Sequence, residues 1–132
     1  MGKVEEAILE FRKQKYSCSQ ATLLGIKRGL EADMPADAVL SAASVGLRGG
    51  IGRTMDEGTC GALTGAVIAL GLLYPESPEK AVEMSKIIYN DFKETFGSVE
   101  CGKITGENGK KLCNQCCLQA GCAVEKCFCG GI

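Results

Sequence analysis

Residues 46–74 read GLRGGIGRTMDEGTCGALTGAVIALGLLY, and the stretch divides at Cys60. Before Cys60, five glycines (Gly46, Gly49, Gly50, Gly52 and Gly58) make a loop that carries Arg48 and Arg53. After it comes the longest uncharged run in the chain, with small residues at Gly61, Ala62, Gly65, Ala66 and Ala69. A helix apolar on every side is the central element of a helical core. The run is about 14 residues long, short of the roughly 20 that span a bilayer. Gly61 and Gly65 each cost a helix about 1 kcal/mol relative to alanine. Close approach of a neighbouring helix backbone is the expected compensation. A helix beginning at Thr59 or Cys60 sets the Cys60 thiol over unpaired backbone N–H groups and the positive end of the helix dipole. Both favour thiolate over thiol.

Working outward, Val4, Ala7, Ile8 and Phe11 fall at i, i+3, i+4 and i+7, which predicts an amphipathic helix over about 3–15. Arg12, Lys13 and Lys15 gather at its C-terminal end, where cations suit the dipole. Ser17 is an N-cap for a second helix, CSQATLLGIKRGL, with Leu23, Ile26 and Leu30 on one stripe and Cys18 at its start. Pro35 opens a third helix, whose small face is Val39, Ala42, Ala43 and Gly46. Beyond the central run, Ser77 and Pro78 supply an N-cap and an N1 proline for a fifth helix. Ala81, Met84, Ile88 and Phe92 line it, and Gly97 stops it.

From Ser98 onward, Gly102, Gly106 and Gly109 punctuate short polar segments. Six cysteines then crowd the segment CNQCCLQAGCAVEKCFCGGI, which begins at Cys113. Sustained alternation of β-branched and aromatic residues is absent, so no sheet is expected. The chain reads as all-α, a single compact bundle of about five helices. It divides into a helical domain over 1–112 and a cysteine-rich segment over 113–132, packed on that domain or trailing from it. The small-residue faces of helices three and four suit contacts within the chain or with a second copy, leaving a homo-oligomer open.

The 132 residues carry 15 basic and 16 acidic side chains, so neither nucleic acid nor an anionic membrane surface is an expected partner. There is no tryptophan to stack bases and no histidine to activate a nucleophile or ligate a metal. Nine cysteines are the outstanding feature. Their odd number suits a closed disulfide framework poorly. The opening MGKVEEAILEFRK carries acids where an export signal needs an apolar core. A cytoplasmic setting with reduced or cycling thiols follows as the expectation.

Gly50-Ile-Gly52-Arg53-Thr-Met55 lacks the third glycine of a dinucleotide fingerprint, and no GK[ST] follows it. Arg48, Gly50, Gly52 and Arg53 instead form a candidate anion or cofactor site that would help hold Cys60 ionised, with Asp56 and Glu57 opposing. Cys113 with Cys116, and Cys127 with Cys129, make two pairs compatible with tetrahedral thiolate ligation of zinc or of an iron–sulfur cluster. A tail of reactive thiols is the alternative for the same residues.

The order of Cys18, the segment Gly58-Thr-Cys60-Gly-Ala-Leu-Thr-Gly65, Cys101 and Cys113 resembles the redox-active protein family named for a C…CGAxxG…C…C pattern (C_GCAxxG_C_C). The resemblance implies a small helical protein with four family cysteines, Cys18, Cys60, Cys101 and Cys113. Two functions are compatible with it. In the first, an oxidoreductase-like thiol protein uses Cys60 as the attacking thiol. Cys18, Cys101 and Cys113 then act as resolving partners, and a redox protein or small thiol is the partner. That reading requires the four sulfurs to meet at one end of the bundle. In the second, the same four cysteines, or those of the tail, hold an iron–sulfur cluster, with zinc the weaker choice, and no catalysis is involved.

Overall fold

The computed structural model describes residues 2–108 and 112–130. Every regular element in it is helical: α1 (Lys3–Lys13), α2 (Cys18–Leu30), α3 (Asp37–Ser44) with a short 3-10 turn over Val45–Leu47, α4 (Gly61–Leu73), α5 (Pro78–Phe96), α6 (Cys101–Asn108) and α7 (Cys113–Gly130). The all-α class stands, with seven helices among the described residues where the sequence reading expected about five. The two extra helices are α6 and α7. Gly109 and the last two residues of the 113–132 segment lie outside the described residues.

Local chemistry fixes most of the boundaries. Ser17 and Gln20 form a capping box: the Ser17 N–H donates to Gln20 Oε1 at 3.1 Å, and the Gln20 N–H donates to Ser17 Oγ at 3.4 Å. The first residue of α2 is therefore Cys18. Pro78 opens α5, and Gly97 closes it at φ 77°, a left-handed conformation that glycine adopts without penalty. The inner face of α5 is Ala81, Met84, Ile88 and Phe92, as its spacing predicts.

α4 forms the axis. Ala62, Leu63, Ala66, Ala69 and Leu70 are all fully or almost fully buried. α2 crosses it closely enough that a β-carbon at position 65 would stand 2.5 Å from the Ser19 carbonyl oxygen. One at position 61 would stand 2.5 Å from Cys18 Sγ. The two helix-weakening glycines thus admit the N-terminal turn of α2, the compensation expected of them. No helix among the described residues is long and apolar enough to cross a membrane.

One expectation needs correction. The face Val39, Ala42, Ala43 and Gly46 of α3 points outward; Leu40 and Ser44 are the buried residues. Polar contacts turn the helix that way. Ser19 Oγ donates to the Ser44 carbonyl at 2.8 Å, and Gln20 Nε2 donates to Ser41 Oγ at 2.8 Å. The cysteine-rich segment is an 18-residue helix seated against α1, α2, α4 and α5. It buries Cys116, Cys117, Ala120, Gly121, Ala123, Val124 and Cys127. Cysteine acts there as a small apolar residue.

Candidate functional site

Four helix starts and one loop converge on the cysteines. Cys60 is the N-cap of α4, Cys18 the first residue of α2, Cys101 the first of α6 and Cys113 the first of α7. The glycine loop is stitched to the approach to α6 by backbone hydrogen bonds. The Cys60 N–H donates to the Val99 carbonyl at 2.7 Å, Cys101 N–H to Gly58 at 2.8 Å, and Gly102 N–H to Asp56 at 2.9 Å. Gly102 has to be glycine there, since a β-carbon would collide with the Met55 carbonyl oxygen. This short antiparallel clasp places Cys60 and Cys101 side by side although they are 41 positions apart in sequence.

The four cysteines meet as the shared-site expectation requires. Cys18, Cys60, Cys101 and Cys113 line one cavity of about 280 Å³, and Cys116 joins them from the first turn of α7. The charged residues of its lining are Arg12, Arg48 and Arg53. None of the nine cysteines is bridged to another.

The five cavity sulfurs are not equivalent. Cys60 is 7% exposed, yet its pKa is drawn down to about 7. The largest cause is a hydrogen bond donated by the Cys116 thiol. The backbone N–H groups of Ala62 and Leu63 at the start of α4 add to it, while burial works in the opposite direction. Cys116 is pushed strongly upward by that same bond to Cys60, then by burial and by the Cys60 charge. Burial, followed by the Cys60 charge, raises Cys18, although the Gly49 N–H and Arg12 oppose it. Burial and the neighbouring thiols lift Cys101 to about 11. Of Cys18, Cys60, Cys101 and Cys116, Cys60 alone is drawn toward thiolate, while the other three are held toward the protonated thiol.

The anion cradle expected at Arg48, Gly50, Gly52 and Arg53 is only half present. Arg48 and Arg53 line the cavity, with Gly49 between them. Gly50 turns inward against Gly58, where a β-carbon would be 3.2 Å from the Gly58 Cα, and Gly52 faces open space. Hydrogen bonds from Cys116, Ala62 and Leu63, rather than the two arginines, are what draw the Cys60 pKa down.

The four-cysteine metal set of Cys113, Cys116, Cys127 and Cys129 does not assemble. Cys113 and Cys116 occupy the first turn of α7, Cys127 and Cys129 its last. At about 1.5 Å rise per residue the two pairs are separated by roughly 17 Å or more along the axis. Ligands of one zinc ion each lie about 2.3 Å from it. Among the described residues no three Cys, Asp or Glu side chains are arranged around a single ion. Cys117 lies beneath the cavity and donates to the Cys18 carbonyl at 3.7 Å, and burial holds its pKa up near 12.

Sequence reading grouped Cys116 with the tail and passed over Arg12 and Gly49 as site residues. Helical spacing was the signal for Cys116, three residues after Cys113 and so on the same face of any helix through both. Gly49 is identified by its backbone alone. No curated protein and no solved structure matches the chain. A family model does: it covers residues 16–130, from just before Cys18 to the end of α7, and its description is "Putative redox-active protein (C_GCAxxG_C_C)". The chain belongs to that redox-active family.

Proposed function

We propose that the protein performs thiol–disulfide exchange, with Cys60 as the attacking thiolate and Cys116 as the resolving thiol. The observation that carries this is the Cys116–Cys60 hydrogen bond, which draws Cys60 toward thiolate in a cavity lined by four more cysteines. A pKa near ambient pH gives both a useful thiolate fraction and good nucleophilicity.

The Cys60 thiolate attacks a disulfide RS–SR′, forming the mixed disulfide Cys60–S–SR and releasing R′S⁻. At that moment the two Cys60-derived influences that hold the Cys116 proton on, the hydrogen bond and the negative charge, both disappear. Cys116 gives its proton to R′S⁻ and its sulfur attacks Cys60. An intramolecular disulfide forms, and RS⁻ leaves. One disulfide is reduced to R′SH and RS⁻, and one protein dithiol is oxidised. Cys18, Cys101 and Cys113 line the same space and support onward transfer of the disulfide to a redox partner.

Peptide mapping after stoichiometric oxidation tests this. A Cys60–Cys116 disulfide is expected from the native chain. Cys116→Ala should stop at the mixed disulfide on Cys60, and Cys60→Ser should not react. Iron–sulfur clusters are held by cysteine thiolates, and five cysteines line this one cavity. A brown protein carrying iron after anaerobic purification would overturn the exchange reading in favour of cluster binding.

A further inference from the structure

We infer that the cavity selects anionic disulfides, small molecules whose arms carry carboxylate or phosphate groups close to the sulfur. The inference rests on the exchange reading above and adds the substrate class. The chain as a whole has net charge −1, so any attraction for anions is local. Around the Cys60 thiolate every charged lining residue is an arginine. Arg12 is fixed at the rim, with Nε donating to Asn114 Oδ1 at 2.8 Å and a terminal nitrogen donating to the Tyr16 carbonyl at 3.1 Å. Arg48 and Arg53 enter no ion pair among the described residues.

The loop holding those two arginines is ordered by its own backbone. The Arg53 N–H donates to the Arg48 carbonyl at 2.8 Å, and the Met55 N–H donates to Gly49 at 2.9 Å. The same loop uses glycine for positive φ at 49, 50 and 52, yet keeps side chains at Arg53 (φ 63°) and Met55 (φ 57°). A β-carbon is disfavoured in that conformation, and such strain clusters at binding sites. Both of these strained residues line the cavity. Two like charges displayed together, unpaired, beside a nucleophile that is itself negative suit a ligand bringing negative charge of its own. A guanidinium pair presents the fork geometry that carboxylate and phosphate accept. The reaction is the one written above, with RS–SR′ carrying an anionic group on each arm.

The test compares three disulfides of matched arm length: dianionic 3,3′-dithiodipropionate, neutral bis(2-hydroxyethyl) disulfide and dicationic cystamine. Single-turnover rates of Cys60 oxidation in the reduced full chain are divided by the rates of a neutral model thiol with each reagent. The expected order is dianion, neutral, dication, with a spread of about tenfold or more at low ionic strength. About 1 M salt should erase that spread in the native chain. Arg48→Gln with Arg53→Gln should lower the dianion's rate, raise the dication's and so compress the spread toward unity. Equal normalised rates in the native chain, a spread that survives salt, or an unchanged spread in the folded double variant would each overturn the inference. If the neutral and cationic disulfides react at Cys60 as fast as the anion, only the charge selection falls. If none of the three oxidises Cys60, the exchange reading falls too, and this inference with it.

Discussion

Two alanine substitutions six positions apart in α4 should move stability in opposite directions. At Gly65 a β-carbon would sit 2.5 Å from the Ser19 carbonyl oxygen and 3.2 Å from the Ser19 Cα. The obstacle is backbone, so no side-chain rotation relieves it, and α2 has to withdraw by roughly 1 Å to restore an ordinary contact. Overpacking of this kind costs about 1–3 kcal/mol, and a backbone obstacle places Gly65→Ala near the upper limit. Improved helix propensity returns about 1 kcal/mol. The net loss is about 2 kcal/mol, a fall in Tm of roughly 6–10 °C for a chain of this length. Gly71 meets nothing within 4 Å. Gly71→Ala therefore keeps only the favourable part, about 0.5–1 kcal/mol and a rise of roughly 2–4 °C. Urea and thermal unfolding under reducing conditions at neutral pH would measure both. A Gly65→Ala variant within about 0.5 kcal/mol of the native chain, or two shifts of the same sign, would refute close helix approach as the reason for these glycines.

Two further predictions concern proton equilibria. Alkylation of Cys60 by iodoacetamide should rise with pH and reach half its maximum near 7. Cys116→Ala should shift that midpoint up by more than about one unit, and Cys116→Ser, which keeps a donor, by less; an unmoved midpoint in the alanine variant would remove Cys116 as the group that ionises Cys60. For stability the signs oppose. Cys60 is depressed below its ordinary value of 9.0, so its contribution is present above that value and is lost as pH falls through 7. Cys101 and Cys117 are raised to about 11 and 12, so theirs is present below 9 and is lost as pH climbs through 11–12. The urea midpoint should accordingly fall from pH 9 to pH 11, and fall less in Cys117→Val; an equal fall in that variant would contradict the assignment.

Much of the framework was legible in the sequence because it rests on local rules. Val4, Ala7, Ile8 and Phe11 mark the buried stripe of α1, and the Ser17 cap and the Pro78–Gly97 boundaries of α5 follow from backbone chemistry that neighbouring residues decide. The face of α3 was not legible. Periodicity alone prefers Val39 and Ala42 to Leu40 and Ser44, and only the Ser19 and Gln20 hydroxyl and amide groups, brought from α2, choose between them. The clasp that joins Cys60 to Cys101 was equally hidden, since it consists of backbone hydrogen bonds between segments about 40 positions apart.

α7 marks where the sequence reading and the structure part most widely, and it bears directly on the site. Counting cysteine as a reactive or metal-binding residue leaves CNQCCLQAGCAVEKCFCG without an apolar pattern. Counting it as a small apolar residue exposes a stripe at Cys116, Ala120, Ala123, Val124 and Cys127, spaced i, i+4, i+7, i+8 and i+11, all of it buried. Gly121 completes that face by letting Ile8 of α1 press against it. The helix is thus held by the core along most of its length, and its first turn is aimed at the start of α4. Cys116 reaches Cys60 for that reason. The motif glycines act from the other side, since Gly61 leaves room for Cys18 Sγ and Gly65 lets α2 approach α4. The CGAxxG spacing is therefore a rule of helix approach that fixes one wall of the thiol cavity, and the cysteine-rich helix beyond Cys113 supplies the wall opposite. A family match that continues past Cys113 to residue 130 fits a site that needs both walls.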